Sequence, residues 1–276
     1  MSERSILITG CSSGIGLDAA RGLRDRGWRV FAACRREQDC VRLRTEGFES
    51  PRIDYGDGES IRTGLAEVLA ATGGTLDALF NNGGHGLTGA VEDVPVEGLR
   101  EVFESNVFGG HDLTRRVIPV MRAQGHGRIV QCSSVLGYGA LRWRGAYVAS
   151  KHALEGLTAT LRLEMRDTPI HVVLLEPGPI TSDFRIKGRA VFERWIDWES
   201  SARAGMYRDT LLPRLYGPGG RDAFELPASA VTAQLVRALE ARRPRARYRI
   251  TVPAKVTWWA RRLLPEALVE ALTARV

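Results

Sequence analysis

Ser5-Ile6-Leu7-Ile8-Thr9-Gly10-Cys11-Ser12-Ser13-Gly14-Ile15-Gly16 is the stretch on which the fold turns. Ser5 to Thr9 is a short apolar run that reads as a buried strand. Ile15, Ala19 and Leu23 then fall on one helical face, and Gly27 ends that helix. Between strand and helix lie Gly10, Ser12, Ser13, Gly14, Ile15 and Gly16. Glycines let the backbone turn tightly there and approach a pyrophosphate closely. The helix N-terminus supplies free N–H groups and the positive end of its dipole. The spacing is G-x-x-x-G-x-G rather than G-x-G-x-x-G. Three glycines also suit a plain turn; their setting between a strand and a helix favours a phosphate loop.

The same rhythm continues outward. Residues 29–33, 52–55, 76–81, 128–132, 171–175 and 248–252 read as further strands, for seven in all. Residues 59–71, 96–121, 146–166 and 228–241 read as helices between them. Short strands alternating with helices imply βαβ crossovers and a parallel sheet covered on both faces. The expectation is an α/β, doubly wound Rossmann fold with one catalytic domain over residues 1–255. Two segments depart from the rhythm. Residues 181–227 read as long and irregular, and their aromatic content (Phe184, Phe192, Trp195, Trp198, Tyr207) suggests a lid over a substrate. Residues 256–276 read as an amphipathic tail with Trp258, Trp259, Pro265, Leu268, Val269 and Leu272. Packing on the body or on a partner subunit is expected of it, rather than membrane contact.

Composition narrows the function class. The chain has 276 residues, 44% hydrophobic and 26% charged, which is ordinary for a globular protein and excludes global disorder. No apolar run approaches the ~18 residues of a spanning helix. The strand that begins at Ser5 leaves no room for a signal peptide. The net charge is +7, yet only Lys151, Lys187 and Lys255 are lysine, and the arginines are spread among acids. Solvated surface explains that better than nucleic-acid binding, the cluster at residues 242–249 notwithstanding. Cys11, Cys34, Cys40 and Cys132 form no C-x-x-C pair and no zinc spacing, so no metal is expected. Free thiols point to a reducing cytoplasm.

Tyr147 and Lys151 stand four apart in the expected helix, on one face. A free phenol, with a pKa of ~10, is no base near neutrality, but a neighbouring ammonium favours the phenolate. A surface Tyr–Lys pair is the plain alternative. Ser133 and Ser134 follow the fifth strand, Asn81, Asn82, Gly83 and Gly84 end the fourth, and Pro177, Gly178 and Pro179 end the sixth. Each alone could be a turn. Together, at the C-terminal ends of strands, they outline one cleft.

In these motifs the chain resembles the short-chain dehydrogenase/reductase family. T-G-x-x-x-G-x-G matches Thr9 to Gly16, N-N-A-G matches Asn81 to Gly84 with Gly83 in place of alanine, and Y-x-x-x-K matches Tyr147 and Lys151. P-G matches Pro177 and Gly178, followed by Ile180 and Thr181. The likeness spans roughly residues 5–182 and is nearest the branch with hydroxysteroid and retinol dehydrogenases. It implies Ser134, thirteen residues before the tyrosine, as the catalytic serine, and Asn106 as the helix asparagine. It further implies that Tyr147 exchanges a proton with the substrate oxygen, Lys151 holds the nicotinamide ribose and lowers the tyrosine pKa, Ser134 bonds the substrate oxygen, and Asn106 holds a water leading to Lys151. A homodimer or homotetramer is expected through the helices around residues 96–121 and 146–166. A non-catalytic, dinucleotide-sensing protein on the same fold is the alternative, but it would need only the glycine loop.

Two finer expectations concern specificity. Near the end of the second strand stand Cys34, Arg35 and Arg36, where NAD-using relatives carry aspartate at the position of Cys34. Arginine suits a phosphate dianion, so NADP(H) is expected over NAD(H), with Ser12 or Ser13 donating as well and Asp54 facing the adenine. His85, Tyr138, Leu141 and Trp143, beside Gly84, Ser134 and Tyr147, are expected to line the substrate pocket. Their apolar character points to a bulky hydrophobic alcohol, ketone or aldehyde.

Overall fold

A computed structural model describes residues 4–217 and 222–273. Residues 218–221 of the expected lid, the two chain ends and the side chain of Leu272 lie outside the described residues. The chain runs β1 (Ser5–Ile8), α1 (Gly14–Arg24), β2 (Arg29–Ala32), α2 (Glu37–Thr45), α3 (Gly58–Thr72) and β3 (Ala78–Asn81). There follow α4 (Val96–Phe103), a π-helical turn (Glu104–Phe108), α5 (Gly109–Gln124), β4 (Gly127–Cys132), α6 (Gly145–Glu164) and β5 (Ile170–Pro177). The last part holds α7 (Phe184–Trp195), α8 (Ala204–Met206), α9 (Leu212–Tyr216), α10 (Ser229–Glu240), β6 (Arg247–Ile250), α11 (Val252–Leu263) and α12 (Glu266–Thr273).

The strands form one parallel sheet in the order β2-β1-β3-β4-β5-β6. The chain winds outward from β1 to β2, returns to β3 and winds the other way, so the order reverses between β1 and β3. Ligands of such sheets bind outside the strand C-termini at that reversal. Successive strand residues serve opposite cores. Ile6 and Ile8 join Val130, Val173, Leu23 and Leu235 on one face, while Leu7 joins Leu79, Ile129, Leu113 and Val117 on the other. Two buried faces explain why the strands read as continuous apolar runs.

Several expected elements differ. The sheet has six strands, not seven, because residues 52–55 contribute only an isolated bridge between Cys34 and Arg52. Pro51 has no N–H to give a ladder, and the amide of Asp54 turns away to Ser60 Oγ at 3.0 Å. The strand expected over residues 248–252 stops at Ile250 because Thr251 takes φ +97°, and α11 then opens at Val252, with Pro253 in its first turn, four residues before the expected tail. The long helix of residues 96–121 is interrupted by the π turn. Residues 181–217 are largely helical rather than irregular: Gly188, Val191 and Phe192 give α7 a buried face against a third apolar cluster with Leu87, Ile196 and Tyr207. The charge-rich α2 carries no expected apolar face; it buries Cys40 and Leu43 and is tied down by Arg42 to the Ser12 carbonyl and Arg44 to the Ser50 carbonyl. Among the described residues, no helix is long and apolar enough to cross a membrane.

Gly109 begins α5 directly against residue 55: a Cβ would run into that of Tyr55 and lie 2.6 Å from its Cα. Backbone there has no room to yield. Gly109→Ala is expected to lower unfolding free energy by about 1–3 kcal/mol. Gly156→Ala, with open space around it in α6, should not lower it. Urea unfolding monitored by circular dichroism compares the two; equal stability in both variants contradicts this packing.

Candidate active site

The site begins at the β1–β3 junction. Thr9 Oγ1 lies 2.7 Å from the Tyr55 hydroxyl and accepts from the amides of Asn82 and Gly83 at 3.0 and 3.1 Å. Asn82 Nδ2 donates back to the Thr9 carbonyl at 3.0 Å. The two strand ends are thereby tied together, and the glycine loop closes on them. Gly10 has φ +71°, and a Cβ on it would lie 2.9 Å from Gly83 Cα. A Cβ on Gly16 would meet the Gly10 carbonyl oxygen at 2.5 Å and Asn82 Nδ2 at 2.7 Å. Ser13 is the N-cap of α1, but its hydroxyl makes no cap bond, and the first turn of α1 carries no acid. A tight loop, free helix N–H groups and no local anion fit a pyrophosphate.

The neighbouring strand ends supply the rest. Arg35 and Arg36 are exposed beyond β2, whereas Cys34 turns into the core. They border an open cleft of about 800 Å³ with Asp54 and Glu101, and Ala190 and Arg194 of α7 form another wall. Pro177 ends β5, and the Gly178 amide bonds Ile250 at 3.0 Å. Ile180 bridges to Leu226, and Thr181 is held through its amide to Leu226 and its hydroxyl to Glu225, so both ends of the 181–227 segment are fixed together.

Ser134 follows β4 and accepts from Leu136 N at 3.1 Å. Tyr147 and Lys151 share a face of α6, the ammonium 5.6 Å from the phenol ring centre. Burial raises the Tyr147 phenol above its usual value, and a hydrogen bond with Ser134 opposes that rise. Burial likewise depresses the Lys151 ammonium, which donates to the Cys132 carbonyl at 2.7 Å. Asn106 sits in the π turn, a helix distortion frequent at functional sites. Its amide donates to the His85 carbonyl at 2.8 Å and Ser150 Oγ at 3.0 Å, and its oxygen accepts from His85 N at 2.9 Å. Both amide hydrogens and the oxygen thus help to fix the loop after β3 against α6.

The short chain dehydrogenase family model matches residues 4–190. The chain belongs to the short-chain dehydrogenase family. It is 36% identical over 270 residues to the uncharacterized oxidoreductase YbbO of Escherichia coli K12, covering 98% of this chain and 94% of that one. It is 33% identical to retinol dehydrogenase 8 of Bos taurus, over 81% of this chain and 72% of that one. In three dimensions it is similar to a short chain dehydrogenase/reductase from Burkholderia phymatum solved in complex with NAD, with a TM-score of 0.78, 26% identity and coverage of 95% and 92%. This chain is therefore an oxidoreductase by family, with retinol dehydrogenase-like relatives.

The residues expected to line a substrate pocket are placed unequally. Trp143 takes φ +68° and packs its ring 4.8 Å from that of Tyr207, in the cluster beneath the 181–217 segment. Tyr138 donates to the Ala254 carbonyl at 2.8 Å and meets Trp258 edge-on, so it docks α11. Leu141 is half-buried in the loop before Trp143. Phe184, read from sequence only as a lid aromatic, stands 5.4 Å from the Tyr147 ring, edge to face. Gly86 makes this possible, since a Cβ there would lie 3.1 Å from the Phe184 ring. Among the described residues no group of three His, Cys, Asp or Glu is placed to hold a metal.

His85 packs beside Asn106, with Nδ1 2.9 Å from Ser105 Oγ and Nε2 3.5 Å from Glu101. Burial lowers its pKa, Glu101 opposes that, and Arg35 and Arg194 reinforce it. A lowered folded-state pKa means that the unfolded chain takes up this proton first as pH falls. Stability is therefore lost below the ordinary value of 6.5, down to the depressed one. His85→Gln is expected to flatten the fall in urea midpoint between pH 7.5 and 5, a slope of at most ~1.4 kcal/mol per pH unit. Identical slopes in both proteins contradict the assignment.

Proposed function

We propose that this protein is an NADP(H)-dependent alcohol dehydrogenase or carbonyl reductase acting on bulky hydrophobic substrates. The observation that carries the reading is that four side chains meet around α6: Tyr147 bonds Ser134, Lys151 stands beside the Tyr147 ring, and Asn106 bonds Ser150. A dinucleotide sensor needs only the loop. Gly10, Ser12, Ser13, Gly14, Ile15 and Gly16 would hold the pyrophosphate, Asp54 would face the adenine, and Asn82, Gly83, Lys151, Pro177, Gly178, Ile180 and Thr181 would surround the nicotinamide end. When bound, the nicotinamide supplies or accepts the hydride.

In the reductive direction Tyr147 gives its proton to the carbonyl oxygen as the carbon becomes an alcohol carbon. Ser134 donates to the same oxygen and stabilises its growing charge. The Lys151 ammonium, desolvated beside the phenol, favours the phenolate left behind. Asn106 spends both amide hydrogens on His85 and Ser150, so its part is to hold the His85 loop and α6 in register and, with them, a water leading to Lys151. Phe184 over Tyr147 supplies an apolar wall, which favours bulky ketones and alcohols over small polyols. Residues 181–227 act as the substrate lid on the single domain of residues 1–255. Val96, Phe108, Leu157 and Leu163 leave apolar surface on the α4–α6 side, which supports assembly into a homodimer or homotetramer.

Tyr147→Phe is expected to lower kcat by about 10²–10⁴-fold, with NADPH binding retained in fluorescence titrations. Turnover near wild type removes the assignment. Cofactor preference rests on exposed Arg35, because Cys34 is buried and a carboxylate there would carry a desolvation cost. Arg35→Ala should reduce kcat/KM with NADPH roughly tenfold, about the worth of one charged phosphate contact, while leaving NADH little changed. Wild-type use of NADH equal to or better than NADPH refutes the preference.

A further inference from the structure

Lys187 is one of three lysines in the chain and lies on α7, within the 181–227 segment. Its ammonium donates to Ser13 Oγ at 2.6 Å and to Ser12 Oγ at 3.2 Å, across 174 and 175 residues of sequence. No carboxylate among the described residues pairs with it. Beside it stand the positive end of α1, whose first turn holds no acid, and Arg42, which donates to the Ser12 carbonyl at 2.8 Å. The Arg42 charge is met by Glu46 at 2.9 Å and Asp39 at 3.9 Å, whereas the Lys187 ammonium and the N-terminus of α1 are both positive, a pair that an anion between them stabilises. Lys187, Ala190 and Arg194 recur at helical spacing, and the latter two border the open cleft opposite Arg35 and Arg36. Three residues before Lys187, Phe184 meets the Tyr147 ring. One turn of α7 thus touches both the phosphate loop and the catalytic tyrosine.

We infer that Lys187 is a cofactor-binding residue of the lid, whose ammonium exchanges the Ser12 and Ser13 hydroxyls for the pyrophosphate of the dinucleotide. The inference rests on the dinucleotide reading above. The pyrophosphate is chosen over the 2′-phosphate because Ser13 immediately precedes the first N–H groups of α1, whereas Arg35 and Arg36 serve the β2 end. Holding the pyrophosphate through α7 also keeps Phe184, already 5.4 Å from the Tyr147 ring, in place as the apolar wall of the substrate site.

The test is equilibrium titration of wild type, Lys187→Ala and Lys187→Arg with NADPH and with NADH, followed by tryptophan fluorescence without substrate. Lys187 is exposed, so the variants should unfold at the wild-type urea midpoint. Lys187→Ala is expected to raise Kd roughly tenfold for both dinucleotides, and Lys187→Arg to stay within about threefold of wild type. Unchanged Kd values in Lys187→Ala overturn the inference while leaving the dinucleotide reading intact. A loss confined to NADPH overturns the assignment to the pyrophosphate. A wild type that binds neither dinucleotide removes the cofactor reading, and this inference with it.

Discussion

The Thr9 hydroxyl holds the site together. It gathers the Tyr55 hydroxyl and the amides of Asn82 and Gly83 at the ends of β1 and β3, where the sheet reverses direction. Tyr55 in turn donates to Asn81 Oδ1 at 2.6 Å, and Asn81 reaches Thr114 on α5 at 2.8 Å. Every one of these groups is buried or partly so. A chain of satisfied polar groups in such surroundings rigidifies, whereas a missing member leaves a buried atom unpaired. The glycine loop can close over this junction only because Gly10 and Gly16 carry no Cβ. The loop, the β3 turn and the start of α5 are therefore one rigid unit.

A second constraint sets the catalytic side. The π turn at Glu104–Phe108 rotates Asn106 toward the loop after β3, where its amide makes three bonds to His85 and Ser150. Ser150 lies on α6 between Tyr147 and Lys151, so the asparagine reaches the proton donor through the backbone it braces. On the far side, Glu155 and Glu176 are almost wholly buried and pair with Arg247, which also faces the Trp258 ring of α11. The tail is thus packed on the body through cation–aromatic contacts and the Tyr138 hydroxyl. This network places α11 beside β6 and against the turn that follows Ser134, where Tyr138 reaches the Ala254 carbonyl.

Much of this is legible in the sequence because it is local. The loop from Thr9 to Gly16 and the Tyr147–Lys151 pair are fixed by spacing along one element, and spacing survives in a linear reading. What fails is what tertiary contact decides. Residues 52–55 have strand composition, yet Pro51 and the Asp54–Ser60 bond divert them. Residues 184–195 carry a helical apolar face diluted by five charged side chains, so the period is faint until Phe192 and Ile196 find their cluster. Trp143 reads as a pocket wall by its place near Tyr147, and its half-buried contact with the Tyr207 ring is invisible to spacing. Lys187 leaves no local signal at all, since its partners lie some 174 residues away.

The central claim is that the converged side chains perform hydride chemistry rather than sense a dinucleotide. The most direct measurement is incubation of the wild-type protein with NADPH deuterated at C4 and a bulky aryl ketone, with mass spectrometry of the product. The account predicts deuterium on the new alcohol carbon, delivered from one face of the nicotinamide only. Tight NADPH binding with no deuterium transferred to any member of a panel of ketones and aldehydes would contradict it.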